Sequence, residues 1–215
     1  MIFLPVFDNF LISHFIEVSL AVYLLAYLSY AVAYNGAFEF SFPPLLKSTL
    51  SFSVFILIIS FVSLVTISAV CEFDGAKNPS NSMLLIIVFR CLVLLSSIGI
   101  LLITRTYADT QRIIKYEYDM LIMFSILSLL ILSSSDDFLM LYLAIELQSL
   151  CFYVLATFKR NSVFSTEAGL KYFILGAFSS GLLLFGFVLS YVTFGTTSFE
   201  TLAKLTIGAN GYLAF

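Results

Sequence analysis

Long apolar stretches along the chain alternate with short polar ones. Crossing the hydrocarbon of a bilayer takes about 20 apolar residues in a helix, and six stretches approach that length. They run approximately from His14 to Tyr34, Thr49 to Cys71, Ser82 to Thr104, Tyr118 to Ser135, Phe138 to Phe158, and Ala168 to Phe194. Helix-breaking and charged segments separate them, including Asn35-Gly36, Pro43-Pro44, Asp74-Gly75, residues 105–119, Asp136-Asp137 and residues 159–161. The pattern predicts an all-α membrane protein with about six transmembrane helices.

Composition agrees with this interpretation. Of the 215 residues, 61% are hydrophobic and 11% are charged, whereas soluble domains are roughly 45–50% apolar and about 25% charged. A net charge of −3 provides no basic face for nucleic acid. One histidine and three widely spaced cysteines, Cys71, Cys91 and Cys151, indicate neither a metal site nor a disulfide framework. We therefore expect no catalytic, metal-binding or cofactor-binding residue in this chain.

The loop lysines and arginines predict the orientation, because short loops on the negative side of a membrane are enriched in these residues. The loops after the first, third and fifth predicted helices carry Lys47, Arg105, Arg112, Lys115, Lys159 and Arg160, and the other side carries only Lys77 and Lys204. We expect the amino terminus on the positive side, which is the intermembrane space or periplasm. Lys159 and Arg160 would then face the matrix or cytoplasm.

The fifth predicted helix contains an acid, Glu146, near its middle. Glu146 follows Phe138 by eight residues, which places it roughly 12 Å inside the span. Intramembrane acids are costly and usually face a bundle interior or a wet cavity on an ion pathway. Tyr142, Ser149 and Tyr153 share its helix face and form a supporting polar stripe. A protonated Glu146 that only joins two helices is the alternative.

The sixth predicted helix begins with a second pair of charges. Ser165 or Thr166 is expected to cap it, and Glu167 in its first turn suits the helix dipole. Lys171 follows Glu167 by four residues, within ion-pair reach. Because Lys171 lies only about one turn inside the boundary, snorkelling to the interface and a role in transport both remain open.

An arginine lies inside the third predicted helix, eight residues from its start. Arg90 requires an anion there, and Glu17 in the first helix is on the same side of the membrane. We expect the two to pair. A lipid headgroup or a partner subunit is the alternative partner for Arg90.

The segment IELQSLCFYVLATFKRNSVFSTEAGLKYFILGAFSSGLLLFGFVLSYVTFGTTSF, residues 145–199, resembles the antiporter-like chain 2 of respiratory NADH:ubiquinone oxidoreductase, complex I. The specific features are the acid Glu146, the basic link 159–160, and the E-A-x-x-K-Y sequence that contains Glu167 and Lys171. The resemblance covers about residues 116–199, and the first three helices match only as hydrophobic spans. It implies that helices four to six form the start of an antiporter-like inverted repeat.

The resemblance also implies a function. In the family the acid that matches Glu146 pairs with a lysine on a following broken helix, so Glu146, Lys171 and Glu167 are implied in proton translocation. NADH, flavin, iron–sulfur clusters and ubiquinone would bind other subunits. The chain would divide into three amino-terminal helices (1–116), antiporter-like helices (117–199) and a carboxyl-terminal tail or interfacial segment (200–215).

The partners implied are other complex I membrane-arm subunits, membrane lipids and a separate chain carrying the remaining helices of the same subunit, with no nucleic acid. The expected location is the mitochondrial inner membrane, and the chain alone should not pump. Two alternatives stay open: a subunit of a multi-chain cation/proton antiporter or membrane-bound hydrogenase, and a structural scaffold without proton transfer. An unrelated six-helix channel is disfavoured, because the sequence lacks a filter signature.

Overall fold

The computed structural model describes residues 4–37, 43–73, 81–111 and 116–212. Seven α-helices account for nearly all of them: α1 (Leu4–Ala37), α2 (Pro43–Phe73), α3 (Asn81–Gln111), α4 (Tyr116–Ser133), α5 (Phe138–Ala156), α6 (Val163–Phe194) and α7 (Phe199–Tyr212). Within these ranges the only β-type pairing is an isolated bridge between Asp137 and Ser198. The prediction of an all-α fold is confirmed.

Within the described ranges, four stretches of helix are long and apolar enough to cross a membrane: His14–Val32, Leu85–Ala108, Phe138–Ala156 and Val163–Phe194. A shorter apolar stretch, Ser51–Thr66, lies within α2. The remaining predicted span corresponds to α4, which has 18 residues and carries Glu117 and Asp119 in its first turn.

Several helix boundaries differ from the predictions. Helices α1 and α2 begin at Leu4 and Pro43, before the predicted starts at His14 and Thr49. The predicted breaker Asn35-Gly36 therefore lies within α1, and Pro43-Pro44 forms the start of α2.

Helix α3 continues to Gln111, past the predicted end at Thr104, because backbone hydrogen bonds of a helix do not require apolar side chains and the helix can extend beyond the hydrocarbon. Helix α6 begins at Val163, so its N-cap is Ser162 rather than Ser165 or Thr166. Glu167 is thus the fifth residue of α6 and does not lie in its first turn.

The chain forms two compact units, residues 1–133 and 134–215. In the first unit, α1 to α4 pack around a core whose fully buried members include Leu20, Leu24, Leu57, Leu94, Leu101, Met123 and Leu130. Buried hydroxyls lie among these leucines. Ser60, Ser97, Ser125 and Ser128 each donate to a carbonyl of their own helix, so they permit close helix packing without leaving a donor unsatisfied.

In the second unit, α5 and α6 form an antiparallel pair joined by residues 157–162. The two helices touch closely at Gly169, where an added Cβ would overlap the side chain of Thr157. Helix α6 ends at Phe194, and its C-cap is Gly195, whose φ of 73° is the left-handed conformation common at helix ends. Two backbone hydrogen bonds, Phe138 N to Thr197 O (3.1 Å) and Phe199 N to Asp136 O (3.0 Å), then hold the start of α7 beside the start of α5.

Candidate functional site

Glu146 lies in the middle of α5, a 19-residue apolar helix. Its side chain is partly buried, and its Oε2 atom is fully buried without a hydrogen-bond partner among the described residues. A buried carboxylate oxygen left without a donor loses its hydration and gains nothing in return, which costs on the order of 1–3 kcal/mol or more. This position is therefore poorly satisfied by the described part of the chain alone.

Two of the three residues in the predicted polar stripe beside Glu146, Tyr142 and Tyr153, pack on α6. Tyr153 is 7% exposed, and its ring meets Tyr172 and Phe173 edge-on at centroid distances of 4.9 and 5.4 Å. Tyr142 meets Phe187 edge-on at 6.5 Å. The stripe thus provides aromatic packing between the two helices.

Small residues allow this close approach. The Tyr153 hydroxyl lies directly over Gly176, where any side chain would overlap it. The Ser149 hydroxyl donates to the Glu146 carbonyl at 2.9 Å, within its own helix. Tyr153 lies against Gly176 and Tyr142 near Phe187, which is an antiparallel register, and Glu146 lies between these two contacts along α5.

Glu167 and Lys171 form the predicted ion pair. The Lys171 Nζ atom lies 2.6 Å from Glu167 Oε1, and the two side chains are 68% and 56% exposed. Such an exposed i,i+4 pair contributes little to stability by itself, typically below about 1 kcal/mol. Both charges are consequently available to further groups.

The predicted pairing of Arg90 with Glu17 is confirmed. The Arg90 Nη2 atom lies 2.9 Å from Glu17 Oε1, and this ion pair links α3 to α1. Both side chains are about one-tenth exposed. The Arg90 Nε atom donates to the Ser133 hydroxyl at 3.2 Å, at the end of α4. His14 Nδ1 lies 3.6 Å from the other Glu17 oxygen. The pair therefore joins three helices of the first unit.

Asp119 is a buried acid that the sequence analysis placed in a charged loop. It lies in the first turn of α4, is 1% exposed, and accepts a hydrogen bond of 3.1 Å from the Ser53 hydroxyl of α2. One signal in the sequence was available, because an apolar run begins directly after Asp119 with no helix breaker between them. The serine that satisfies the acid is 66 residues away, so the contact itself is a tertiary feature.

The described residues contain no group of three or more His, Cys, Asp or Glu side chains arranged to hold a metal ion. Cys91 and Cys151 are free thiols. The absence of cofactor sites from this chain stays a prediction.

Comparison with known families connects the second unit to a defined group of membrane proteins. Residues 135–214 match the transmembrane family described as NADH:quinone oxidoreductase/Mrp antiporter. The match contains Glu146, Glu167 and Lys171. It begins two residues after the end of α4 and includes nearly all of the second unit.

Relatives extend the likeness to the first unit. NADH-ubiquinone oxidoreductase chain 2 of Marchantia polymorpha is 37% identical over 204 residues, covering 94% of this chain and 41% of the relative. The corresponding chain of Arabidopsis thaliana is 35% identical over 210 residues, covering 95% of this chain and 42% of the relative. NADH-quinone oxidoreductase subunit N of Paramagnetospirillum magneticum is 46% identical over 121 residues, covering 56% of this chain and 25% of the relative. The chain therefore spans less than half the length of these relatives.

The fold agrees with the sequence comparison. A chain in the solved structure of respiratory complex I from Thermus thermophilus with bound aureothin superposes with a TM-score of 0.64 at 22% identity, covering 85% of this chain and 38% of that one. At 22% sequence identity, this similarity shows that the two chains share a fold. The chain is thus similar to part of NADH-ubiquinone oxidoreductase chain 2, and its residues 135–214 match the transmembrane family described as NADH:quinone oxidoreductase/Mrp antiporter.

Proposed function

We propose that this chain contributes to proton translocation in the membrane arm of an NADH:quinone oxidoreductase, with Glu146 as the main titrating group. The observation that carries the proposal is the buried Oε2 atom of Glu146, which has no hydrogen-bond partner among the described residues. This atom lies on a membrane-length helix within the segment that matches the family. Ionisable groups in such positions usually belong to ion pathways.

The missing partner would come from the helices that account for the rest of the relatives' length. A lysine brought to Glu146 by those helices would titrate jointly with it, so that displacing or deprotonating the lysine changes the proton affinity of the acid. A structural or electrostatic signal from quinone chemistry would thereby load and release a proton. Whether a separate chain carries those helices, as the sequence analysis expects, stays a prediction.

The other charged and polar groups have supporting roles in this scheme. Glu167 and Lys171 provide an exposed charge pair at the opposite end of the α5–α6 hairpin from the α7 junction. Tyr142 and Tyr153 hold the face of α5 that carries Glu146 against α6, and the Ser149 hydroxyl donates to the Glu146 carbonyl within α5. Electron transfer would take place in other subunits, which would hold NADH, flavin, iron–sulfur clusters and ubiquinone.

The assembled protein would be a multi-pass component of the mitochondrial inner membrane, in contact with other membrane-arm subunits. The distribution of loop charges supports an amino terminus in the intermembrane space. Lys159 and Arg160 would then lie on the matrix side. Reaction of cysteines introduced at these two positions with an impermeant thiol reagent, in sealed inner-membrane vesicles of known orientation, tests this assignment.

Substitution of Glu146 in the assembled enzyme tests the proposed function. Glu146→Gln preserves size and hydrogen bonding but cannot release a proton, and Glu146→Ala also removes volume. Both variants should lower proton pumping per NADH oxidised while the complex still assembles. The measurement is quinone reductase activity together with proton uptake in reconstituted vesicles. Glu200→Gln, which alters an acid that is 80% exposed on α7, is the matched control.

The outcomes separate the alternatives. Full pumping in both Glu146 variants would contradict the proposed role of the acid. A scaffold without proton transfer predicts full pumping with Gln and a loss of assembly with Ala.

A cation/proton antiporter subunit is the second candidate function, because the description of the matching family names Mrp antiporters as well. Such a subunit would co-purify with other antiporter chains and without flavin-linked NADH oxidation. Isolation of the complex that contains this chain, followed by an NADH oxidation assay, distinguishes the two assemblies.

A further inference from the structure

An open depression lies between the carboxyl-terminal end of α5 and the first turns of α6. Its volume is about 330 Å³, and its lining extends from Thr157 and Thr166, near the loop that joins the two helices, to Tyr153 and Phe173 further along them. One water molecule requires only about 10–15 Å³ of such space. The depression therefore admits water from the loop end of the helix pair as far as the Tyr153 ring.

The ring of Tyr153 closes the inner end of this depression. Tyr153 is buried, and the rings of Tyr172 and Phe173 meet it edge-on. Its hydroxyl lies directly over Gly176, where an added Cβ would overlap it. Gly176 is not part of the lining of the depression. The ring thus fills the space between α5 and α6 at the level where the depression ends.

Glu146 lies on the other side of this ring. It precedes Tyr153 by seven residues, which places the two on one face of α5 and about 10 Å apart along the helix axis. Side chains of a helix lean toward its amino terminus, so the Tyr153 ring leans toward Glu146. The Oε2 atom of Glu146 is fully buried. One aromatic side chain therefore separates the depression from the level of the acid.

Aromatic rings also close the opposite end of the contact between α5 and α6. Phe138 stacks on Phe187 with a centroid distance of 4.9 Å, and Tyr142 meets the same ring edge-on. Glu146 lies between this group and Tyr153 along α5. Of these two aromatic contacts, the one formed by Tyr153 borders the depression.

We propose that Tyr153 is a positioning residue for proton translocation, because its ring keeps water in the depression away from Glu146. This inference rests on the proposed role of Glu146. An acid in continuous contact with water of one compartment exchanges protons with that compartment at all times, and transport against a gradient requires this contact to be interrupted. The acid exchanges protons with the loop end only when the ring moves aside. The aromatic ring has this role, and the hydroxyl does not.

Passive proton leak through the assembled complex in sealed proteoliposomes tests the barrier. The measurement is the decay of an imposed pH gradient without NADH. Tyr153→Ala makes room for water beside Glu146 and should raise the leak about 10-fold, which corresponds to a barrier lowered by about 1.4 kcal/mol. Tyr153→Phe keeps the ring and should leave both leak and pumping at wild-type values. Tyr191→Ala, at a 52% exposed tyrosine of α6 outside the depression, is the matched control and should not leak.

A double variant distinguishes proton transfer through Glu146 from structural damage. Tyr153→Ala/Glu146→Gln should return the leak to the wild-type value, because glutamine cannot bind and release a proton. A complex damaged by the loss of the ring would leak with either residue at position 146. If Tyr153→Ala does not assemble, Tyr153→Leu removes the ring, keeps an apolar side chain and is measured in the same way.

Three results would each overturn the proposal: a wild-type leak in the variant without the ring, an equal leak in Tyr153→Phe, or a leak that persists in the double variant. The proposed function is judged separately, by Glu146→Gln alone. If Glu146→Gln lowers pumping and any of the three results is found, only the role of Tyr153 is refuted. Full pumping by Glu146→Gln would refute the proposed function itself.

Discussion

The buried ion pair between Glu17 and Arg90 allows a quantitative test of the first unit. Replacing Arg90 with Met removes the guanidinium while keeping an unbranched side chain of similar length, and replacing Glu17 with Leu removes the carboxylate. The two side chains are about one-tenth exposed and 2.9 Å apart. Each single change therefore removes the opposite charge from beside a charge that stays buried. The double change leaves neither charge.

The expected magnitudes follow from the geometry. At an effective dielectric constant of about 20, two unit charges separated by 2.9 Å attract by roughly 6 kcal/mol. Desolvation of both groups opposes most of this, so a buried pair is close to neutral relative to apolar residues of the same size, while removing one partner costs about 3–5 kcal/mol. Arg90→Met should therefore lower the free energy of unfolding by that amount. The double variant should lie nearer to wild type than either single variant.

The assay is denaturation of the full chain with SDS in mixed micelles, followed by tyrosine emission, because the chain contains 12 tyrosines and no tryptophan. A double-mutant cycle then isolates the interaction between the two residues. His14→Gln is a useful control, since His14 lies 3.6 Å from Glu17 and is the more exposed partner. Single-variant effects that add to within about 0.5 kcal/mol in the double variant would refute the reasoning.

The sequence predicted this pair because both residues are charged interruptions of apolar helices, at similar depths from the same side. Asp119 was not predicted, although it is equally buried, because it borders a charged stretch and its depth depends on where α4 meets α2. Likewise, the length of α3 was underestimated, since hydropathy measures the apolar part of a helix and not its full extent. The packing of Tyr142 and Tyr153 on α6 could not be predicted either. The spacing of these residues shows that they share one face of α5, but it does not show which helix packs on that face.

Two further predictions concern individual contacts in the two units. Ser53→Ala removes the hydroxyl that donates to the buried Asp119 carboxylate at 3.1 Å and should lower the free energy of unfolding by about 1.5–3 kcal/mol; an unchanged SDS midpoint would show that the hydrogen bond contributes nothing. Gly176→Ala should destabilise the α5–α6 pair by about 1–3 kcal/mol, because the new methyl group overlaps the Tyr153 ring. Gly181→Ala, with no neighbour within 4 Å, is its control and should be neutral or stabilising by up to about 1 kcal/mol.

The position of each charge relative to its neighbours explains why the two units differ in what they require. In the first unit, Arg90 meets Glu17 and Ser133, and Asp119 meets Ser53, so each of these buried charges faces a charged or polar residue of another helix in the same unit. In the second, Gly169 is the buried residue of α6, and a buried oxygen of Glu146 lacks a donor among the described residues. An apolar helix that exposes nearly all of its surface, beside an incompletely satisfied acid, gains stability from lipid or additional helices against it.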